Sequence, residues 1–441
     1  MAADSRRNVA PEGDIRRDGR RGSRGAALQA VGACLLMGSC AGLLRAADPV
    51  GPGGRAGASQ KGSLVFFPHV EVRWDAAGTV RQDTLLSIVN DYPAEVDVQL
   101  YLVNGDAPTA AIVSGSPPVL RERAHPGWNR VDVQLTLTGE QPSFWSAANG
   151  AAGIYPMSVL DPGPPMGRPD PDPDNPGGRL IRGYIVGWAV NAAGHEIRWN
   201  HLSGSAIILD YARAAAWEYP PWAFQVRSGS QGAETLNCLV VNLDTGQCVA
   251  TEAVPGRLDL DGREYDSCPE RLQFQFSAAG DSIFRIPGTG VPVVTDTYLT
   301  LSLISSDLRQ DNDGPLTTKA KFDIWNQNEV RFSGTERCIT CWDSTLLMEY
   351  TGLGAANHFV ARHLQTRYGR ARVDGLASSV CDSPTVSSSN GALLGVLHRR
   401  LRFPNGLFAG SGHTIGGQGE ETAQILHDII QPPQEARVGG N

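Results

Sequence analysis

Lysine is nearly missing from this 441-residue chain: Lys61, Lys319 and Lys321 are the whole complement, and arginine supplies the rest of its 38 basic groups. The bias travels with the Ala, Gly and Pro richness and reads first as coding bias. No Lys/Arg stripe interleaves with aromatic residues, and beyond residue 47 the chain holds 30 basic against 42 acidic groups. An acidic body without a basic stripe excludes nucleic acid as a partner. After Leu44 no segment is long and apolar enough to span a bilayer as a helix.

Catalytic signatures are also missing. There is no G-x-S-x-G elbow, and Gly410-Ser411-Gly412-His413 reads only as a glycine-rich turn. His195-Glu196 would need a second His at 199 to grip zinc from a helix, and that position is Trp199. Gly416-Gly417-Gln418-Gly419 lacks the lysine and the strand–loop–helix setting of a phosphate cradle. The chain is therefore expected not to be an enzyme. Paired carboxylates of a glycosidase are placed by the fold rather than by spacing, so a polysaccharide-active site stays open.

What is present begins with an address. Arg16, Arg17, Arg20, Arg21 and Arg24 precede the apolar run Ala26–Leu44, the charged-then-greasy pattern of a secretory signal over residues 1–47. Leu44-Arg45-Ala46 is a loose cleavage site, and Met37-Gly38-Ser39-Cys40 resembles a bacterial lipobox in which Cys40 would carry lipid. That lipid is the only membrane attachment expected. Residues 48–62 read as a flexible tether. Export makes Cys238, Cys248, Cys268, Cys338, Cys341 and Cys381 an even set of disulfide cysteines, and Cys238 and Cys248 flank a hairpin-like turn.

With 51 Gly and 29 Pro the body favours turns over long helices. Val70, Val72 and Trp74, then Val96, Val98, Leu100 and Leu102, recur with period two, the mark of half-buried strands. Further strands fit 131–137, 180–190, 206–209, 272–276, 298–304, 320–325 and 392–403. Tyr211–Trp217 reads as a short helix stopped by Pro220-Pro221. Asp83–Ile88 leads into an alternating strand ending at Asn104, and Asp296–Leu301 leads into one ending at Asn326. The expected fold is all-β and mostly antiparallel, with long loops and few short helices. It comprises two β-sandwich-like domains, 63–230 and 231–431, and a frayed tail at 432–441.

Lys61–Asp106, Lys319–Asn326 and Arg337–Trp342 resemble uncharacterised exported bacterial β-rich proteins. The resemblance implies export and β structure, and no activity or ligand.

Three constellations are candidates for chemistry. Cys338-x-x-Cys341 with His358 and His363 approaches a zinc layout, although export favours oxidised sulfur. Asp170, Asp172 and Asp174 recur every second residue, and Asp259-Leu260-Asp261-Gly262 and Asp311-Asn312-Asp313-Gly314 place acids at tight turns. These hard oxygens make calcium the candidate cofactor, with Asp170, Asp172 and Asp174 as ligands. Trp217, Tyr219 and Trp222 in a proline-rich stretch are candidates for stacking on a ligand from an exposed loop. The expected role is an exported structural or adhesive protein that binds an extracellular polymer or protein. The alternative is a carbohydrate-binding or polysaccharide-active protein built on the Trp-rich first half.

Overall fold

The computed structural model describes residues 56–423 except 59, 108–126, 128, 162–165, 242–247, 253–254, 281–283, 286–287, 310–314, 352–355, 378–380, 382–387 and 418–421. Cys40, the signal segment, the Asp311–Gly314 turn and the C-terminal tail lie outside the described residues. All described residues belong to one compact unit, 49–441.

Ten strands build the first sheet: β1 (Leu64–Trp74), β2 (Val80–Asn90), β3 (Val96–Asn104), β4 (Arg130–Leu137), β5 (Pro142–Ser146), β6 (Arg168–Pro169), β7 (Arg179–Val190), β8 (Leu202–Asp210), β9 (Ala215–Tyr219) and β10 (Trp222–Phe224). Its spine runs β4-β3-β7-β1-β2-β8-β9, and every pairing is antiparallel. The chain continues through β11 (Asn237–Val241), β12 (Cys248–Glu252), β13 (Cys268–Pro269), β14 (Arg271–Ser277), β15 (Phe284–Arg285), β16 (Pro292–Ser302), β17 (Leu316–Asn326), β18 (Arg331–Thr340), β19 (Trp342–Leu346), β20 (Tyr368–Leu376), β21 (Ser388–Ser389), β22 (Leu394–Arg402), β23 (Phe408–Thr414) and β24 (Thr422–Ala423). Two sheets dominate this half: β14-β20-β17-β18, and β15-β16-β22-β23 with β19 on β16. The all-β expectation holds, and the only α-helix among the described residues is the single turn Ala361–Leu364.

The first sheet is apolar on both faces, which is why Leu64–Phe67 is an unbroken apolar run. Val65, Phe67, Val70, Val72 and Trp74 join one buried cluster with Leu86, Leu100 and Trp145. Leu64 and Phe66 join a second with Trp188, Trp222, Leu301, Phe322 and Trp342. That second cluster draws on residues from both 63–230 and 231–431. The two halves of the sequence similarity also differ in setting. Asp83–Ile88 and Val96–Asn104 lie in one sheet, whereas β16 and β17 lie in separate sheets.

Several expectations are corrected. Residues 56–62 are no tether: Gly57 pairs with Ala223 and Gly62 with Leu202, and Ala56 is buried. Tyr211–Trp217 is not helical, because Ala214 adopts φ 50° and Ala215–Tyr219 then pairs along β8. Gly410–His413 is not a turn but the middle of β23. There Gly410 and Gly412 lie against Trp217, and a Cβ at Gly412 would overlap the indole. Glycine is needed here for the close approach of β9.

Two disulfides form among the described residues, Cys238–Cys248 between the paired strands β11 and β12 and Cys338–Cys381 between residues 43 apart. The expectation of six bridged cysteines is corrected, because Cys268 and Cys341 are buried outside both bridges. Successive strand residues point to opposite faces, so the odd spacing of Cys338 and Cys341 works against a bond between them. Cys341 itself has φ 56° and joins β18 to β19, the point where the chain passes from one sheet to the other.

Two outcomes are expected. Gly412→Ala should cost about 1–3 kcal/mol in urea unfolding through overpacking, whereas Gly416→Ala, facing open space, should stay within about 0.5 kcal/mol of the parent. Equal stability of the two variants would contradict the packing. Non-reducing peptide mapping should recover only the 238–248 and 338–381 links.

Candidate functional site

The site begins with a defect in β1. Its register against β7 shifts between Phe67 and Val70, where Pro68 has no N–H for the ladder. The extra residue reverses the alternation. Phe67, Val70 and Val72 stay on one face, so His69, Glu71 and Arg73 emerge on the other, in line with Leu64 and Phe66. Arg182 on β7 is paired with Glu71, and Gln82 on β2 with Arg73. A polar floor results where the strand would otherwise be apolar.

The backbone groups freed at the bulge bond to side chains of β16, β19 and β9. Pro68 O accepts from Trp342 Nε1 at 2.7 Å and from Ser302 Oγ at 3.2 Å. The His69 N–H donates to Tyr219 Oη at 3.0 Å, and Tyr219 O–H donates to His69 O. The His69 imidazole places Nδ1 3.0 Å from Thr300 Oγ1 and 3.4 Å from Ser344 Oγ. Its Nε2 lies 3.4 Å from Glu71 Oε2. Thr300 Oγ1 donates to Ser344 Oγ at 2.8 Å.

This hydroxyl–imidazole–carboxylate chain holds the ring between sheets. It differs from a hydrolase triad in its setting. Ser344 lies within β19, paired to Thr300, with its carbonyl taken by Arg182 at 2.9 Å, and not on a sharp strand-to-helix elbow.

Opposite the floor stand β16, β19, β22 and β23. Tyr298 and His398 are direct cross-strand partners, and Thr300 faces Ser344. Trp217, His398 and Tyr298 form a run of stacked rings, with centroids 4.3 Å apart for the first pair and 5.5 Å for the second. Arg400 lies over Tyr298, its guanidinium carbon 5.1 Å from the ring centroid. Between floor and wall is a cavity of about 490 Å³, whose rim includes Pro171, Pro173, Leu346 and Phe408.

Most charge here is paired. Burial opposes ionisation of Glu71, but Arg73 and the hydrogen bond from His69 outweigh it and hold the carboxyl well below its ordinary range. Gln82 Nε2 also donates to Glu71 Oε1 at 2.9 Å. Arg73 meets Asp170 at 2.6 Å, and Arg213 meets Asp172 at 2.6 Å, Asp174 at 3.1 Å and Asp210 at 3.1 Å. Arg182 binds Asp106 through two nitrogens, and Arg337 lies 3.0 Å from Asp343.

The proposed calcium ligands thus have other cations. Asp170, Asp172 and Asp174 follow one another in Asx turns around Pro171 and Pro173, and Asn175 Nδ2 donates to Asp170 Oδ2 at 2.8 Å. A calcium ion would have to displace Arg73 and Arg213. Nor is Asp170 exposed on a loop, since its side chain is fully buried. The zinc layout does not assemble: Cys338 is bridged to Cys381, and the His358 ring stacks on Phe332 at 4.3 Å.

The aromatic candidates are corrected in place. Tyr219 and Trp222 are buried in the core, with 0% and 1% exposure, because Trp217 and Tyr219 alternate inward along β9 and Trp222 lies on β10 against β1. Trp217 alone of the three reaches the cavity, and His398 covers one of its faces. Sequence reasoning missed His69, Tyr298, Thr300, Ser344, His398 and Arg400. Their one signal is a polar residue at every second position of otherwise apolar strands.

The site carries its own acid sensitivity. Burial, then the charges of Arg400, His69 and Arg73, hold His398 well below its ordinary 6.5, and Glu71 only partly offsets them. The unfolded chain therefore takes up a proton near pH 6.5 that the folded one refuses, so stability is full above that pH and falls below it. The urea midpoint should drop between about pH 7.5 and about pH 5.5, and His398→Phe should flatten the drop while keeping the stack. His413, shifted the same way by burial, will leave a residual slope. An unchanged slope in His398→Phe would remove His398 from this role.

Comparison with protein-family models, with curated proteins and with solved structures finds no match for this chain.

Proposed function

We propose that this chain is an exported cell-envelope or extracellular binding protein, and that the cleft between β1 and the β16–β22 pair takes hold of a saccharide segment of an extracellular polymer. The observation that carries the reading is the cavity of about 490 Å³ in which stacked rings, guanidinia and carboxylates converge. Its size lies within the ~300–1,000 Å³ of small-molecule sites. Sugars are many-hydroxyl ligands with apolar faces, and they match walls that alternate ion pairs with rings.

Export is supported by the arginine-then-apolar N-terminus and is compatible with the two disulfides. Binding without turnover is supported by the pairing of Glu71, Asp172 and Asp210. Each faces an arginine, whereas a general acid needs a carboxyl kept protonated near working pH; Asp343 is the exception, pushed up by burial against the opposing charge of Arg337.

A panel of neutral and acidic oligosaccharides titrated into the purified protein should give saturable binding. Phe408→Ala, at the half-buried rim, should weaken it by about fivefold with little change in melting temperature. Absence of saturable binding to every member of the panel would end this reading.

A further inference from the structure

Five arginines line the cleft, and they are not equivalent. Arg73 is held by Glu71 and Asp170, Arg182 by Asp106, Arg213 by Asp172 and Asp210, and Arg337 by Asp343. These four are fixed parts of the wall. Arg400 has no ion pair among the described residues. Its cross-strand neighbour is Asp296, yet the guanidinium lies over the Tyr298 ring instead.

Two features make this a binding element. Arg400 is only half-buried, so its fork of N–H donors is reachable from the cavity it lines. The cation–π contact fixes the plane of the fork without using its donors. A guanidinium held over a ring at a cavity wall, with no ion-pair partner among the described residues, suits a planar two-oxygen anion. Beside it the imidazole of His398, kept neutral by burial, adds a ring but no second charge. Glu71, Asp172, Asp210 and Asp343 each have an arginine of their own, which reduces their repulsion of such an anion, and Glu349 is bonded by the Thr345 hydroxyl.

We infer that the ligand of the cleft is an acidic saccharide whose carboxylate pairs with Arg400. This rests on the saccharide reading above and names the class of sugar within it: a uronate rather than a neutral hexose.

The test uses oligomers of galacturonate, glucuronate and mannuronate, each beside its methyl ester. The sugar is then the same and only the carboxylate is masked. Calorimetric titration of the purified protein should show at least one acid binding about tenfold or more tighter than its ester, with a preference that shrinks as salt is raised. Arg400→Gln should remove the preference, bringing acid and ester to equal affinity, and Arg400→Lys should retain part of it. Equal binding of acid and ester by the parent overturns the inference and leaves the saccharide reading standing. A preference that survives in Arg400→Gln assigns the carboxylate elsewhere and also overturns it. Equal affinity for oligoglutamate would overturn the sugar component, and absence of binding to every oligomer would overturn both readings together.

Discussion

The fold turns on one proline in the middle of its most buried strand. Pro68 cannot donate to the β7 ladder, so β1 carries an additional residue there and its face assignment reverses. An unpaired carbonyl at that depth would cost about 1–3 kcal/mol. Trp342 and Ser302 supply the missing donors to Pro68, and Tyr219 serves both backbone groups of His69. The same defect thus creates the polar stripe of the cleft floor and ties the first sheet to the strands that form its wall. Without the reversal, His69, Glu71 and Arg73 would point into the cluster of Val65 and Phe67, where two charges and an imidazole would have no partners.

Around that seam the protein handles charge by saturation. Buried arginines and carboxylates are arranged in chains rather than isolated pairs, running from Glu71 through Arg73 to Asp170 and from Asp210 through Arg213 to Asp172. Such chains add little net stability over apolar packing, because desolvation of the charges offsets most of their attraction. They do fix geometry. The loop containing Pro171 and Pro173 is held against the sheet edge by side chains from β1 and from the turn after β8, and a rigid rim for the cavity follows. Within this frame Arg400 stands apart, without an ion pair among the described residues and set over the Tyr298 ring.

Much of the architecture was legible in the sequence, and the reasons are local. Alternation along Val96–Leu102 reports a half-buried strand, and the pairing of β11 with β12 beside the Cys238–Cys248 bond follows from two cysteines spaced to face each other across adjacent strands. The fold class follows from many such segments. The assembly of the cleft was not legible, because residues 298, 300, 344, 398 and 400 are joined by strand pairings distant in sequence and meet residues 69 and 71 only where that sheet packs on β1. The face reversal at Pro68 is equally invisible to a period-two reading, which takes Val70, Val72 and Trp74 as a fresh strand. Trp217 and Trp222 misled in the opposite direction. Proline neighbours signal a surface loop, but Pro220-Pro221 here merely separates a half-buried strand, which turns Trp217 and Tyr219 inward, from a short buried one.

The reach of the Pro68 carbonyl also bears on how this polypeptide acquires its shape. Its indole donor arrives 274 residues later in the chain. Contacts so distant in order make assembly slow, since a large loop must close before they contribute. A strand delivered early in synthesis waits for its fold-supplied donors until Ser302 and then Trp342 have emerged. The first sheet is therefore completed by the last third of the chain, and the protein matures as a whole rather than from one end to the other.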